Sequence, residues 1–127
     1  ILVGLVGSEM CIRDRNSRVL QFSDAIQNNE IETLGNLLYQ SHEGLRTKYK
    51  VSCKELDFLV AETKENKNIV GARMMGGGFG GCTINLIKKA EVSKFKEEIS
   101  IKFKKEFHKE CTIYQVKLSK GTRIIKE

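Results

Sequence analysis

Six consecutive residues, Gly76-Gly77-Gly78-Phe79-Gly80-Gly81, hold five glycines within the run GARMMGGGFGGCTINLI, Gly71 to Ile87. Glycine averages about 7% of residues in proteins, and each one in an ordered segment costs about 0.5–1 kcal/mol relative to alanine. Five together predict backbone at positive φ, or backbone that lies closer to something than a Cβ allows. Successive N–H groups in such a turn can form a nest for an anion, so phosphate binding is the chemistry the composition suggests. The G-x-x-x-x-G-K-[ST] phosphate loop is absent, because Cys82 and Thr83 follow Gly81. Gly76, Gly78 and Gly81 do satisfy G-x-G-x-x-G, but a dinucleotide site needs a helix after it, and the residues that follow read as a strand. A tight hairpin with a packing role fits these residues equally well.

Other side chains near the run carry weaker signals. Arg73 alternates with Ala72 and Met74, so it faces away from them, either in an outward ion pair or as a phosphate contact. Phe79, which interrupts the glycines, is read as a hydrophobic anchor for the loop, with ligand contact as the alternative. Cys82 is read as a core thiol and His42 as a packed or capping histidine. His108 lies near a helix C-terminus, where a cation is favoured.

The elements that must position the loop follow from periodicity. Val19, Phe22 and Ile26 predict a helix over 18–28, broken at Asn28-Asn29. Ile31, Leu34, Leu38 and Leu45, with Leu37 beside them, predict a second helix over 30–49. Ser52 reads as the N-cap of a third, with Glu55 completing a capping box. Residues 69–75 and 82–87 read as strands on either side of the glycines. Val92, Phe95, Ile99, Phe103 and Phe107 predict a helix over 91–109, with Lys94–Glu98, Glu98–Lys102 and Lys102–Glu106 as outer pairs. A third strand is predicted over 111–118. The order α-α-α-β-loop-β-α-β, with two strands joined by a short loop and so antiparallel, implies an α+β layer with helices on one face. It is similar to a ferredoxin-like unit whose first strand lies upstream or is missing.

A chain of 127 residues is one domain by size. No apolar run approaches the roughly 20 residues that span a bilayer. The formal charge of +6 lies wholly in residues 88–127, with twelve basic and six acidic residues. There, Glu interleaved with Lys at helical spacing reads as a solvated face. Few aromatics are available on the strands for base stacking, so no nucleic-acid partner is expected. Cys53, Cys82 and Cys111 are widely spaced and without C-x-x-C, which argues against a disulfide framework or zinc site and for a cytoplasmic chain with reduced, largely buried thiols. The sequence opens on Ile1, and a fragment or processed product is expected. Residues 5–15, LVGSEMCIRDR, resemble an in-frame translation of a sequencing-library adapter. On that reading 1–15 is an artefactual leader, to be set aside like a fusion scar, and 16–127 is the domain. The alternative is an ordinary N-terminal strand.

The run GARMMGGGFGGCTINL resembles the third signature motif of the GHMP small-molecule kinases, specifically of galactokinases. NSRVLQF (Asn16–Phe22), LLYQSHEGLR (Leu37–Arg46) and YKVSCKELDFLV (Tyr49–Val60) resemble the region of those enzymes that precedes it. Met75 departs from the pattern, where many members carry Thr. The resemblance implies a GHMP kinase C-terminal domain and transfer of the ATP γ-phosphoryl group to the anomeric hydroxyl of α-D-galactose, with Mg²⁺, its ligands mostly in a lobe this chain lacks. It implies that Gly76, Gly77, Gly78, Phe79, Gly80 and Gly81 line the ATP and active-site cleft, and that Arg73 is a possible phosphate contact. No catalytic residue or metal ligand is carried onto this chain, and the fragment alone is expected to be inactive. Galactose and ATP are the implied partners, with no membrane. Another GHMP kinase, or a non-catalytic galactose-sensing or regulatory paralogue, is the alternative.

Overall fold

The computed structural model describes residues 2–76, 81–122, 124 and 125, with side chains from Arg13 onward. The chain forms helix α1 (Leu2–Gln27), α2 (Ile31–Thr47), α3 (Lys54–Lys64), strands β1 (Ile69–Met75) and β2 (Cys82–Ile87), a 3₁₀ turn (Lys89–Glu91) and α4 (Val92–Phe107). This is an α+β arrangement in which β1 and β2 pair antiparallel, from Met75 opposite Cys82 to Ile69 opposite Ile87, with an irregularity between Ile69 and Gly71. The predicted strands 69–75 and 82–87 therefore form with the bounds read from the sequence.

The helix ends follow local chemistry. Asn29 takes φ +55° between α1 and α2, a left-handed position that asparagine tolerates better than most residues. His108 takes φ +55° after α4, and its N–H donates to Lys104 O at 2.9 Å, closing the helix in the way a C-terminal cap requires. At α3 the observed N-cap is Cys53, with no side-chain cap bond. Ser52 instead donates from Oγ to Asp57 Oδ1 at 2.7 Å, so the predicted capping box gives way to a bond one turn deeper.

The apolar stripe of α4 packs as read. Phe95, Ile99 and Phe103 are buried, and Phe95 and Ile99 join Ile69 in a core that Phe58, Leu59, Ile87 and Ile113 flank. Phe58 meets Phe107 edge-on at 5.3 Å between centroids, and Phe103 lies 4.9 Å from Phe107, the geometry that aromatic quadrupoles favour. Among the described residues its predicted i,i+4 charge pairs give way to contacts with α3, from α4 and from the residue just past its cap. Lys102 Nζ reaches Glu62 of α3 at 2.6 Å, and Lys109 reaches Glu55 at 3.7 Å.

Three readings are corrected. On α1, Ala25 is buried while Val19 is 67% and Ile26 54% exposed. The helix turns Ala25, with half-buried Phe22, inward, so its covered face runs through a small residue that a search for large apolar side chains passes over. No strand forms over 111–118 among the described residues. Ile113 touches the core, while Tyr114, Val116 and Leu118 stand exposed. Their alternation suits a strand, but a strand needs a partner edge, and none lies beside this segment among the described residues. The thiols are not buried: Cys82 is exposed, and Cys53 and Cys111 are partly covered. Cys82 shares the outer face of the hairpin with Ile84 and Leu86, whereas Thr83 and Asn85 turn towards the covered side.

Candidate functional site

The six-residue glycine run is the loop of the β1–β2 hairpin, since Met75 and Cys82 close the ladder on either side of it. Gly76 and Gly81, its first and last residues, take φ +82° and +99°. A Cβ built at Gly76 meets nothing within 4 Å, and at Gly81 only Met75 O at 3.9 Å. Of the two reasons for glycine set out above, backbone conformation therefore applies at these two positions and crowding does not. Gly77, Gly78, Phe79 and Gly80 lie outside the described residues. A hairpin turn and a close-lying ligand are compatible here: Gly76 and Gly81, at the two ends of the loop, are both exposed, with open space where a side chain would stand.

Crowding governs a different pair of glycines. A Cβ at Gly35, inside α2, would sit 1.9 Å from Val70 O, and one at Gly71 would sit 2.7 Å from the Gly35 Cα. The helix and strand backbones thus approach as closely as two glycines permit. Periodicity passed over Gly35, although a glycine inside a helical pattern is itself a sign of close packing.

Along the side of β1 that faces away from β2, α2 supplies a second anchor. Met74 N–H donates to Nδ1 of His42 at 3.1 Å. The other ring nitrogen, Nε2, lies 3.0 Å from Asp57 Oδ1 on α3. With Nδ1 accepting, Nε2 must carry the proton and donate it to the carboxylate, so the neutral tautomer is fixed by its partners. Burial pushes the His42 pKa below 6.5, more than the hydrogen bond to Asp57 raises it. His42 is indeed a packed histidine, and its role is to hold β1. Asp57 receives no role from the sequence, and nothing in its local spacing gives one: its partners Ser52, His42 and, through it, Met74 meet only in the fold.

Ser52, Asp57 and His42 share three residue types with a hydrolytic triad, but the connections differ. Ser52 donates to the carboxylate rather than to the imidazole, and the imidazole spends its free nitrogen on a backbone amide. A general base needs an accessible lone pair beside its substrate, and His42 is only 3% exposed. The constellation can position backbone and cannot take up a proton from a substrate.

Arg73 faces away from Ala72 and Met74, as alternation requires, and is half-buried. Its predicted outward ion pair does not form among the described residues. Nη1 instead donates to Met74 O at 3.1 Å, and burial, then the charge of Arg15, lowers its pKa. Among the described residues no three His, Cys, Asp or Glu side chains converge as a metal site would require. An open groove between α3 and α4, lined by Glu62, Asn66, Phe95, Glu98 and Lys102, lies at the start of β1, the opposite end from the glycine loop.

The family described as "GHMP kinases C terminal" matches residues 22–105. The chain belongs to that family. Galactokinase from Thermotoga petrophila is 44% identical over 114 residues, which are 90% of this chain and 33% of that protein. Galactokinase from Clostridium acetobutylicum is 38% identical over 110 residues, 87% of this chain and 28% of that protein. The crystal structure of Lactococcus lactis galactokinase complexed with galactose matches with a TM-score of 0.71 at 32% identity, over 75% of this chain and 24% of that one. This GHMP kinase C-terminal domain thus spans about a third or less of the length of the relatives it matches. No helix among its described residues is long and apolar enough to cross a membrane.

Proposed function

We propose that the chain is the C-terminal part of a galactokinase, which transfers the γ-phosphoryl group of ATP to the anomeric hydroxyl of α-D-galactose to give galactose 1-phosphate. The observation that carries this reading is 44% identity to a galactokinase over 90% of the chain. The glycine run Gly76–Gly81, exposed at its two described ends, Gly76 and Gly81, is the feature through which this domain would serve the reaction. Phosphoryl transfer needs positioning and charge stabilisation more than covalent chemistry from the protein. In that role the loop lines the ATP cleft and braces the phosphate-binding segment of the other lobe, while Arg73, at the end of β1, contacts phosphate. On this reading the catalytic base and most of the Mg²⁺ ligands belong to a lobe outside this chain. The partners are galactose and ATP, with neither nucleic acid nor membrane, in the cytoplasm. On the same reading residues 16–127 are the GHMP kinase C-terminal domain and 1–15 a leader of non-native origin, which DNA reads across the Arg15–Asn16 junction would check.

The test is an assay of the complete gene product with ATP and galactose. Formation of galactose 1-phosphate is expected, and the 127-residue chain alone is expected to be inactive. Galactose binding without turnover would favour a sensing paralogue instead, and turnover of a different small alcohol would favour another GHMP kinase. Arg73→Ala should lower kcat/KM for ATP by about tenfold or more, the worth of one charge-assisted hydrogen bond, with Arg73→Lys recovering part of the loss. An unchanged value would remove Arg73 from the site.

A further inference from the structure

Met74 is an outer-edge residue of β1, and both of its outward backbone groups are held by side chains. Its N–H donates to His42 Nδ1 at 3.1 Å, and its C=O accepts from Arg73 Nη1 at 3.1 Å. Met74 itself is fully buried, whereas Met75 is 44% exposed and Gly76 turns to φ +82°. The buried part of the strand therefore ends at Met74, and the glycine turn starts two residues later. What fixes the Met74 peptide fixes the base of the loop.

His42 is itself fixed. Its ring is buried at 3% exposure, and Nε2–H donates to Asp57 Oδ1 at 3.0 Å. The same carboxylate oxygen accepts from Ser52 Oγ at 2.7 Å. The relay Ser52–Asp57–His42–Met74 thus ties the segment before α3, α3, α2 and β1 together in one chain of bonds. The His42 ring and the Met74 amide are the buried members, whereas Ser52 and Asp57 are half-exposed; a buried group left without its partner carries a desolvation cost, so the His42–Met74 bond specifies one geometry.

We propose that His42 is a positioning residue for phosphoryl transfer, setting through the Met74 amide where the glycine loop begins. The proposal rests on the galactokinase reading above. His42 touches no reacting atom, and its effect reaches the loop through the strand. A misplacement of about 1 Å far from the chemistry can cost about 100-fold in rate, so loss of this anchor should appear in kcat while the KM for galactose stays near its original value.

Two substitutions separate the two bonds. In His42→Asn, the side-chain oxygen can occupy the Nδ1 position and accept from Met74, but the chain is too short for Asp57. In His42→Gln, the terminal amide reaches the Nε2 position and Asp57, and leaves Met74 N–H without an acceptor. In the complete gene product, His42→Asn should retain kcat within about threefold and His42→Gln should lose about tenfold or more, a fraction of that positional penalty. Amide hydrogen exchange, followed in the same proteins, should quicken at Met74 and Gly76 in the Gln variant and stay slow in the Asn variant, at matched melting temperature. Equal kcat losses in both, or unchanged Met74 exchange in His42→Gln, would overturn the proposal. Should neither His42 variant fold, Ser52→Ala, which removes only the outermost bond, decides. A kcat drop with unchanged KM supports the relay, and an unchanged kcat counts against it. Absence of galactose phosphorylation by the unsubstituted gene product sinks the kinase reading itself, while the exchange data still judge the His42–Met74 anchor separately.

Discussion

His42 on α2 takes the amide proton of Met74 on β1 into a hydrogen bond of 3.1 Å, at the last buried residue before the glycine turn. The bond requires an unprotonated Nδ1, and that requirement makes the fold sensitive to acid. Asp57 and Lys64 face the ring from α3 and Glu43 from α2. Burial outweighs their combined effect and lowers the pKa of His42 from 6.5. The unfolded chain then binds the proton more readily than the folded one, so stability rises with pH across the interval between the lowered folded value and 6.5. The contribution is complete above 6.5 and is lost as pH falls from there towards the folded pKa. Thermal melts across that interval should show a falling midpoint with acidification, and the same series on His42→Asn should show a shallower dependence. Equal slopes would assign the acid sensitivity to the carboxylates.

Three glycines give opposite expectations for one substitution. Gly35→Ala places a methyl group 1.9 Å from Val70 O, a backbone atom that cannot swing aside, so overpacking should cost about 1–3 kcal/mol even after the gain in helix propensity. Gly71→Ala meets the Gly35 backbone and should cost a similar amount. Gly44→Ala, in the same helix, meets only Arg18 Nη1 at 3.7 Å, and should stabilise by about 0.5–1 kcal/mol. Urea midpoints for the three variants give the comparison. A destabilised Gly44→Ala, or a neutral Gly35→Ala, would contradict the close approach of α2 to β1. Gly35 and Gly71 touch each other, so their double variant should depart from additivity.

The α3–α4 contact offers a hydrophobic test. Phe103 is 8% exposed and lies 4.9 Å from Phe107 and 6.4 Å from Phe58. Phe103→Ala should cost about 3–5 kcal/mol, as truncation of a buried aromatic does. Ile101→Ala, on the exposed side of the same helix at 70% exposure, should change stability by less than about 0.5 kcal/mol. Denaturant unfolding of both variants reads the difference, and similar costs would mean that α4 docks by another face.

What the sequence revealed and what it concealed divide along the range of the interaction. The hairpin and the inner stripe of α4 were legible because they depend on neighbours two to four residues apart, within reach of periodicity. The face of α1 was not, since the largest side chains marked it and Ala25 fills the contact. The third strand was not, because Cys111–Leu118 carries the right alternation and finds no partner edge among the described residues, which alternation cannot report. At the site, the glycines flagged the loop, while the His42–Asp57–Met74 anchor joins residues 15 and 32 positions apart. Ser52 was visible as a serine before a helix, and only the fold shows that its hydroxyl serves Asp57.

The ends of the glycine loop carry the last prediction. At Gly76 the backbone is at φ +82° with open space around it, so the cost of a side chain there is conformational rather than steric against neighbours. Left-handed backbone costs an ordinary L-residue about 1–2 kcal/mol, with asparagine the least affected and β-branched residues the most. Gly76→Asn should therefore be milder than Gly76→Ala, and Gly76→Val should be the most damaging, although valine is the strongest strand former of the three. The order Asn, Ala, Val in hairpin stability, read from denaturant midpoints, separates a demand for positive φ from a demand for smallness. A ranking by size alone, with Ala the mildest, would mean that the loop closes on something at Gly76. In the complete gene product, the same three variants measured for kcat would then show whether activity follows the backbone of the turn or the space beside it.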